Sequence, residues 1–194
     1  MAPLYVALLH FPVYDKNGQI VTTAVTNLDI HDIARTGRTY GVRAFYVVTP
    51  VHALRELAGR ILAHWETGHG ALYNQTRTEA LAIVRLSEDL DRTIIDIEQE
   101  SGEAPVLLVT SARTRQPTLT YAALRAVIRD TERPLLLLFG TGWGLTEDVI
   151  GRADHRLPAL RGADTYNHLS VRAAAAIVLD RVCGAREEEE EART

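Results

Sequence analysis

Two short segments carry residue types suited to holding a ligand, and each directly follows an apolar run. Thr110-Ser111-Ala112-Arg113 comes after PVLLVT, and Gly140-Thr141-Gly142-Trp143-Gly144 comes after PLLLLF. Glycines at 140, 142 and 144 permit positive φ and let a ligand approach main-chain amides and carbonyls closely. The spacing is not the dinucleotide pattern Gly-x-Gly-x-x-Gly, because Leu145 stands where its third glycine would be. Nor is it a phosphate loop, since no Gly-Lys-Ser/Thr follows. Taken alone, such a turn serves equally well as a tight strand-to-helix connection. A third group gathers Asp29, His31 and Asp32 just ahead of Arg35. It reads either as a general base beside a cation or as the solvated caps and side chains of a helix. His10, His52, His64, His69, His155 and His168 show no Cys/His/carboxylate spacing of a metal site, so none is expected.

The elements that must position these residues follow from periodicity and punctuation. LYVALL (4–9) reads as a buried strand, and Asp15-Lys16-Asn17-Gly18 has turn chemistry. Residues 19–26 are extended or a loop. Apolar spacing through Leu28, Ile30, Ile33, Ala34 and Tyr40 predicts a helix closed by Gly41, followed by a strand over 42–49. Thr49-Pro50 reads as an N-cap with proline at the first helical position, starting a helix that runs to about Thr67 and stops at Gly68-His69-Gly70. Residues 78–86 are ambiguous, with a strand over their second half. Further helices are expected to open over Ser87-Glu88-Asp89-Leu90 and reach about Glu100, and to run from Thr120 to Asp130, around 145–150 and from Asn167 to Val182. Strands fall over 105–110, 134–139 and 155–157. Strands alternating with helices define an α/β domain, its mostly parallel sheet covered by helices on both faces. In such sheets ligands bind outside the carboxyl ends of the strands, where the two segments above lie.

Composition bounds the rest. The 194 residues, 46% hydrophobic and 24% charged, suit one globular domain over 1–184. Net charge is −4, but residues 185–194 hold five Glu and two Arg, and the body carries 19 basic against 20 acidic residues. That acidic stretch reads as a disordered, solvated tail. The lone cysteine, Cys183, forms no internal disulfide and reads as a buried small side chain in a reducing compartment. No apolar run approaches the ~20 residues needed to span a bilayer, and no basic leader precedes the first apolar stretch. A cytoplasmic protein without membrane contact is expected. Lys16 is the one lysine among 21 basic residues, a skew that suits phosphate contacts and that genome bias also produces.

Three segments in order resemble the motifs of SPOUT-class RNA methyltransferases. NLDIHDIARTGRTYGV (27–42) resembles the family's Arg-Thr and aromatic-Gly-Val pattern, LLLLFGTGWGL (135–145) its strand and glycine turn, and LPALRGADTYNHLSVRAAAAI (157–177) its closing loop and alanine-rich helix. The likeness runs from Leu4 to Val182 and is similar to a small bacterial subfamily near the tRNA guanine-N1 methyltransferases, sometimes fused to such an enzyme.

The resemblance implies a C-terminal trefoil knot, a homodimer with its active site near the subunit interface, and S-adenosylmethionine as cofactor. Thr110 and Ser111 would line the adenosine side. Phe139, Gly140, Thr141 and Gly142 would supply main-chain contacts, and Leu157, Leu160, Tyr166, Asn167 and Leu169 would close the adenine pocket, with a pure core role equally open for Leu157 and Leu169. Arg35 matches the motif-one arginine, a phosphate and transition-state clamp rather than a base, because a guanidinium keeps its proton. Asp29 and His31 stand where the pattern usually has Asn and Gly. The implied substrate is tRNA or rRNA, methylated at ribose 2′-O or guanine N1, with possible functional association with a tRNA guanine-N1 methyltransferase. Trp143 would stack on an unpaired base or pack in the dimer. Arg113, Arg115, Arg152, Arg156 and Arg161 would face the RNA backbone or remain plain solvated arginines. The alternative is a nonenzymatic nucleotide- or RNA-binding module retaining the fold.

Overall fold

The computed structural model describes residues 2–67, 73–112, 116, 118–164 and 166–185. The chain begins with strand β1 (Leu4–Leu9) and a hairpin of β2 (Val13–Tyr14) with β3 (Ile20–Val21). Helix α1 (Asn27–Thr39), β4 (Ala44–Val48), α2 (His52–Glu66), α3 (Gln75–Leu81) and β5 (Val84–Ser87) follow. Then come α4 (Leu90–Ser101), β6 (Val106–Val109), α5 (Tyr121–Asp130) and β7 (Leu135–Gly140). The chain closes with α6 (Glu147–Arg152), β8 (His155–Arg156) and α7 (Val171–Cys183). The main sheet has the order β5-β4-β1-β7-β6-β8, every pairing parallel.

The strand sequences dictate two cores. Successive side chains point to opposite faces, so a strand covered on both sides must be apolar throughout. All six residues of β1 are buried. Tyr5, Ala7 and Leu9 join Ala44, Tyr46 and Val48 of β4 in one core, closed by α4 through Leu90 and Ile97 and by α6 through Val149 and Ile150. Leu4, Val6 and Leu8 join Phe45 and Val47 in the other. That core is closed by Ile30, Ile33 and Ala34 of α1, Ala58 of α2, Leu124 and Ile128 of α5, and Ala175, Val178 and Leu179 of α7. Each fully buried Leu or Ile contributes about 1.5–3 kcal/mol of transfer free energy, so these layers anchor the strand ends.

Local chemistry sets most helix ends where expected. Thr26 accepts the Asp29 N–H at the start of α1, Asp89 accepts the Arg92 N–H at α4, and Thr120 accepts the Ala123 N–H at α5. Gly102 ends α4 in the left-handed conformation. Two starts differ from expectation. Helix α2 begins at His52, with Val51 as a cap that makes no side-chain bond. Thr49 instead continues the β4–β5 ladder, donating its N–H to Ser87 O at 3.0 Å, and it is fully buried. Helix α7 begins at Val171, four residues after Asn167, because Ser170 takes the capping role and accepts the Ala173 N–H at 3.2 Å. The ambiguous 78–86 stretch divides into the end of α3 and the start of β5, and the 19–26 stretch holds the two-residue β3.

The expected helix stop at Gly68-His69-Gly70 and the acidic run Glu187–Glu191 lie outside the described residues. Among those described, no helix is long and apolar enough to cross a membrane.

Candidate active site

The register of the central strands brings distant loops together. Leu9 of β1 pairs with Gly140 of β7, and Val109 of β6 pairs with Leu138, so the carboxyl ends of β1, β7 and β6 stand side by side. Beyond them opens a cleft of about 820 Å³. Its walls come from the β3–α1 connection, the segment after β6, the glycine turn after β7, and the loop leading into α7.

The glycine turn is held by main-chain bonds. Gly144 N–H donates to Thr141 O at 3.0 Å, closing a tight turn. Trp143 N–H donates to Tyr14 O, and Tyr14 N–H to Gly144 O, both at 2.9 Å, which fastens the β2–β3 hairpin to the turn. Gly142 has φ +58°, and a Cβ on it would lie 2.8 Å from Tyr14 O. A Cβ on Gly140 would lie 2.8 Å from Leu145 N. Side chains at either position would force the turn apart, which explains this spacing of glycines.

A hydroxyl chain reinforces the same corner. Thr141 Oγ1 donates to Leu9 O at 3.2 Å and sits 2.5 Å from Thr23 Oγ1, which lies 3.1 Å from His10 Nδ1. His10 is fully buried, and burial lowers its pKa below the usual imidazole value, so it sits neutral behind the turn. On the opposite wall, Asn167 donates its side-chain amide to Ala112 O at 2.9 Å, joining the loop before α7 to the segment after β6. Tyr121 donates its hydroxyl to Pro158 O at 2.7 Å, and burial raises its pKa.

Of the residues singled out by sequence, Thr110, Ser111, Phe139, Gly140, Thr141, Gly142, Leu160, Asn167 and Leu169 all line this cleft. Three others stand elsewhere. Leu157 is 5% exposed and packs in the core beneath, its N–H donated to Val109 O. Tyr166 is 71% exposed, its ring 5.4 Å from that of His168. Arg35 is exposed on α1 and is not part of the lining. Trp143 lines the cleft and is 57% exposed. Of the flanking arginines, Arg152 pairs with Asp91, Arg156 Nε donates to Gln116 O, and Arg161 is exposed. Arg113 and Arg115 lie outside the described residues.

The cleft also uses residues that sequence reasoning did not assign to it. Ala174 and Val178 of α7 sit at i, i+4 spacing and read from sequence as ordinary core. Asp29, in the first turn of α1, is the lining's one carboxylate among the described residues. Its Oδ2 accepts the Thr26 hydroxyl at 2.6 Å, and its Oδ1 lies 3.4 Å from Arg172 Nε, whose Nη1 also reaches Asp32 at 3.1 Å. Among the described residues, no three His, Cys, Asp or Glu side chains gather as for a metal ion. Burial pushes the Cys183 thiol up to about 11, an inert rather than a nucleophilic cysteine.

A parallel α/β sheet with a glycine-cradled cleft at its carboxyl end has the architecture on which nucleotides and cofactors are commonly bound. The relationship to known proteins narrows this, because residues 3–184 match the model of a SAM-dependent RNA methyltransferase family, and the chain belongs to that family. S-adenosylmethionine is the family's methyl donor. The chain is 43% identical over 179 residues to an uncharacterized protein of Aquifex aeolicus (strain VF5), covering 92% of this chain and 87% of that one. It is 45% identical over 181 residues to a tRNA (guanine-N(1)-)-methyltransferase of Oleidesulfovibrio alaskensis, covering 93% of this chain. The match spans only 42% of that relative's length. In fold it is similar to the TrmH/SpoU tRNA modifying enzyme of A. aeolicus, with TM-score 0.54 and 17% identity. That likeness covers 100% of this chain and 78% of the other.

Proposed function

We propose that the protein transfers a methyl group from S-adenosylmethionine to RNA, with tRNA or rRNA as substrate, in the cleft at the carboxyl ends of β1, β6 and β7. One observation carries this reading: segments around residues 29, 110, 140 and 167, far apart in sequence, converge on a single cleft. Its volume of about 820 Å³ suits a nucleoside-sized ligand. Phe139, Leu160 and Leu169 offer apolar walls for an adenine, while Thr110, Ser111 and Asn167 offer polar edges. Thr141 and Gly142 present main chain along the turn. Leu157 supports the wall from behind, and Tyr166 lies on the exposed loop leading to it. Bound there, the cofactor supplies an electrophilic methyl group on a sulfonium. The chain's own contribution is orientation, since holding an acceptor in line at attack distance supplies much of the rate.

Several features of this reading reach beyond one chain. The active protein is a homodimer whose cleft opens near the subunit interface, with the C-terminal segment threaded as a trefoil knot. Arg35, exposed and away from its own cleft, then serves the partner subunit's site as a clamp on the RNA phosphate. Residues 1–184 act as one domain, in the cytoplasm and without a membrane partner. A relative that carries the matched part together with a further stretch of chain suggests functional association with a tRNA guanine-N1 methyltransferase.

Ribose 2′-O and guanine N1 are the two candidate acceptors. Incubating the protein with RNA and isotope-labelled S-adenosylmethionine, then digesting to nucleosides for mass spectrometry, separates them. A labelled nucleoside is the expected result. Cofactor binding without any labelled RNA would instead support a nonenzymatic module.

A further inference from the structure

Methyl transfer to an N–H or O–H leaves a proton to be removed, and the cleft limits which side chain receives it. Three described lining residues carry an acid–base side chain: Asp29, Tyr121 and His168. Tyr121 already donates to Pro158 O, and its raised pKa keeps the phenol protonated. His168 is exposed on the loop before α7, edge-on to the equally exposed Tyr166. Asp29 differs from both. Its side chain is only 14% exposed, and it is held from two sides by the Thr26 hydroxyl and by Arg172. Arg172 divides its charge between Asp29 and Asp32, so it orients the Asp29 carboxylate without neutralising the pair. Arg172 belongs to the first turn of α7, directly after the loop that forms one wall of the cleft, and it thereby ties that wall to α1.

Capping alone does not require this arrangement. The Thr26 side chain accepts the Asp29 N–H and so completes the cap by itself, and neither Arg172 nor a place on the cleft lining adds to it. A fixed carboxylate on the lining of a ligand-sized cleft, with lone pairs left beyond those two contacts, has the chemistry to accept a proton.

We propose that Asp29 is the proton acceptor of the methyl transfer, with Arg172 as its positioning residue, and that the acceptor is a lactam or imide N–H of a nucleobase rather than a ribose hydroxyl. This rests on the methyl-transfer reading above. A carboxylate is a weak base, matched far better to a ring N–H flanked by carbonyl groups than to an alcohol, which is much less acidic. In the step, Asp29 takes the proton from the ring nitrogen as that nitrogen's electron pair forms the bond to the methyl carbon. The carbon–sulfur bond breaks with its pair left on sulfur, so the sulfonium becomes a neutral thioether, and Asp29 later releases the proton to solvent.

The test uses the full chain as wild type, Asp29→Asn and Asp29→Glu, with S-adenosylmethionine and RNA. Product is read as nucleosides, and affinity for S-adenosylhomocysteine and for RNA is measured separately. Asparagine keeps the shape and the bond from Thr26. Asp29→Asn is expected to lower kcat by at least about 100-fold while both affinities stay within about twofold. Asp29→Glu should exceed it in turnover by about tenfold or more, because it restores a carboxylate. The wild-type product should carry its methyl on a base nitrogen. A ribose-methylated product, Asp29→Asn turnover within about threefold of wild type, or a glutamate variant no better than the asparagine one would each overturn the assignment of Asp29. None of these results touches the methyl-transfer reading. Wild-type protein that binds no S-adenosylhomocysteine and labels no RNA removes both.

Discussion

The two ends of the sheet both gather charged and hydroxyl groups, but those groups meet different surroundings. At the amino end, Glu100 at the foot of α4 holds Arg43 at 2.9 Å and also pairs with Arg85. Arg85 donates to the Tyr46 hydroxyl at 3.0 Å and lies over its ring. Arg85 and Arg43 hold the Glu100 carboxyl below its ordinary range. The network closes on itself, with each charge met by a neighbour. At the carboxyl end, Asp29, Thr141 and Asn167 are also partnered, but they border a volume that no side chain fills. The difference teaches that a site here is made by open space beside anchored polar groups, not by charge density. Parallel strands produce that asymmetry, because their connecting loops splay apart at the carboxyl end.

Filling the turn should break the cleft end most severely. Gly140→Ala puts a Cβ 2.8 Å from a backbone nitrogen that cannot move without the rest of the turn. Such overpacking costs about 1–3 kcal/mol. Cofactor affinity should fall below detection in calorimetry, with a lower unfolding midpoint by thermal melt. Second in size, Arg35→Ala should reduce kcat/KM for RNA by about tenfold or more, while affinity for S-adenosylhomocysteine stays as in wild type. Loss of cofactor affinity in that variant would contradict the placement of Arg35 outside its own cleft.

The remaining predictions are smaller and depend on pH. Burial lowers the His10 pKa from 6.5, so the unfolded chain takes up a proton before the folded one does. The stability from keeping His10 neutral is fully present above pH 6.5 and declines as pH falls through and below it. Denaturant unfolding between pH 7 and pH 5 should show this decline (wild-type midpoints dropping), and His10→Gln should flatten it. Glu100 behaves in the acid range. Its folded pKa lies below 4.5, so its contribution is present above 4.5 and is lost as pH falls through the lowered value. Glu100→Gln should cost about 1 kcal/mol at neutral pH, less at low pH, and leave cofactor affinity untouched. A change in affinity there would mean that the two ends are coupled.

Sequence showed the cleft's floor more clearly than its rim. The strands at 4–9, 105–110 and 134–139 are legible because burial on both faces demands unbroken apolar runs, and the glycine turn is legible because it interrupts one of them. The start of α2 misleads because Thr49-Pro50 has the local signature of a cap, while a ladder bond to Ser87, distant in sequence, decides the backbone. Asn167 falls before α7 rather than within it because its amide bridges to Ala112, again a long-range partner. Leu157 looks like a pocket residue in linear order. Pairing of β8 with β6 places it one layer below. Asp29 is legible in sequence as a candidate base or a helix cap, and the packing of α7 against α1 adds its place on the cleft lining beside Arg172.

Calorimetric titration of the full chain with S-adenosylhomocysteine, run on wild type, Gly140→Ala and Glu100→Gln, tests the central claim most directly. Saturable heat is predicted for wild type and Glu100→Gln, with none for a still-folded Gly140→Ala. No heat with wild type, or equal heat from all three, would contradict a cofactor cleft built on the turn at 140–144.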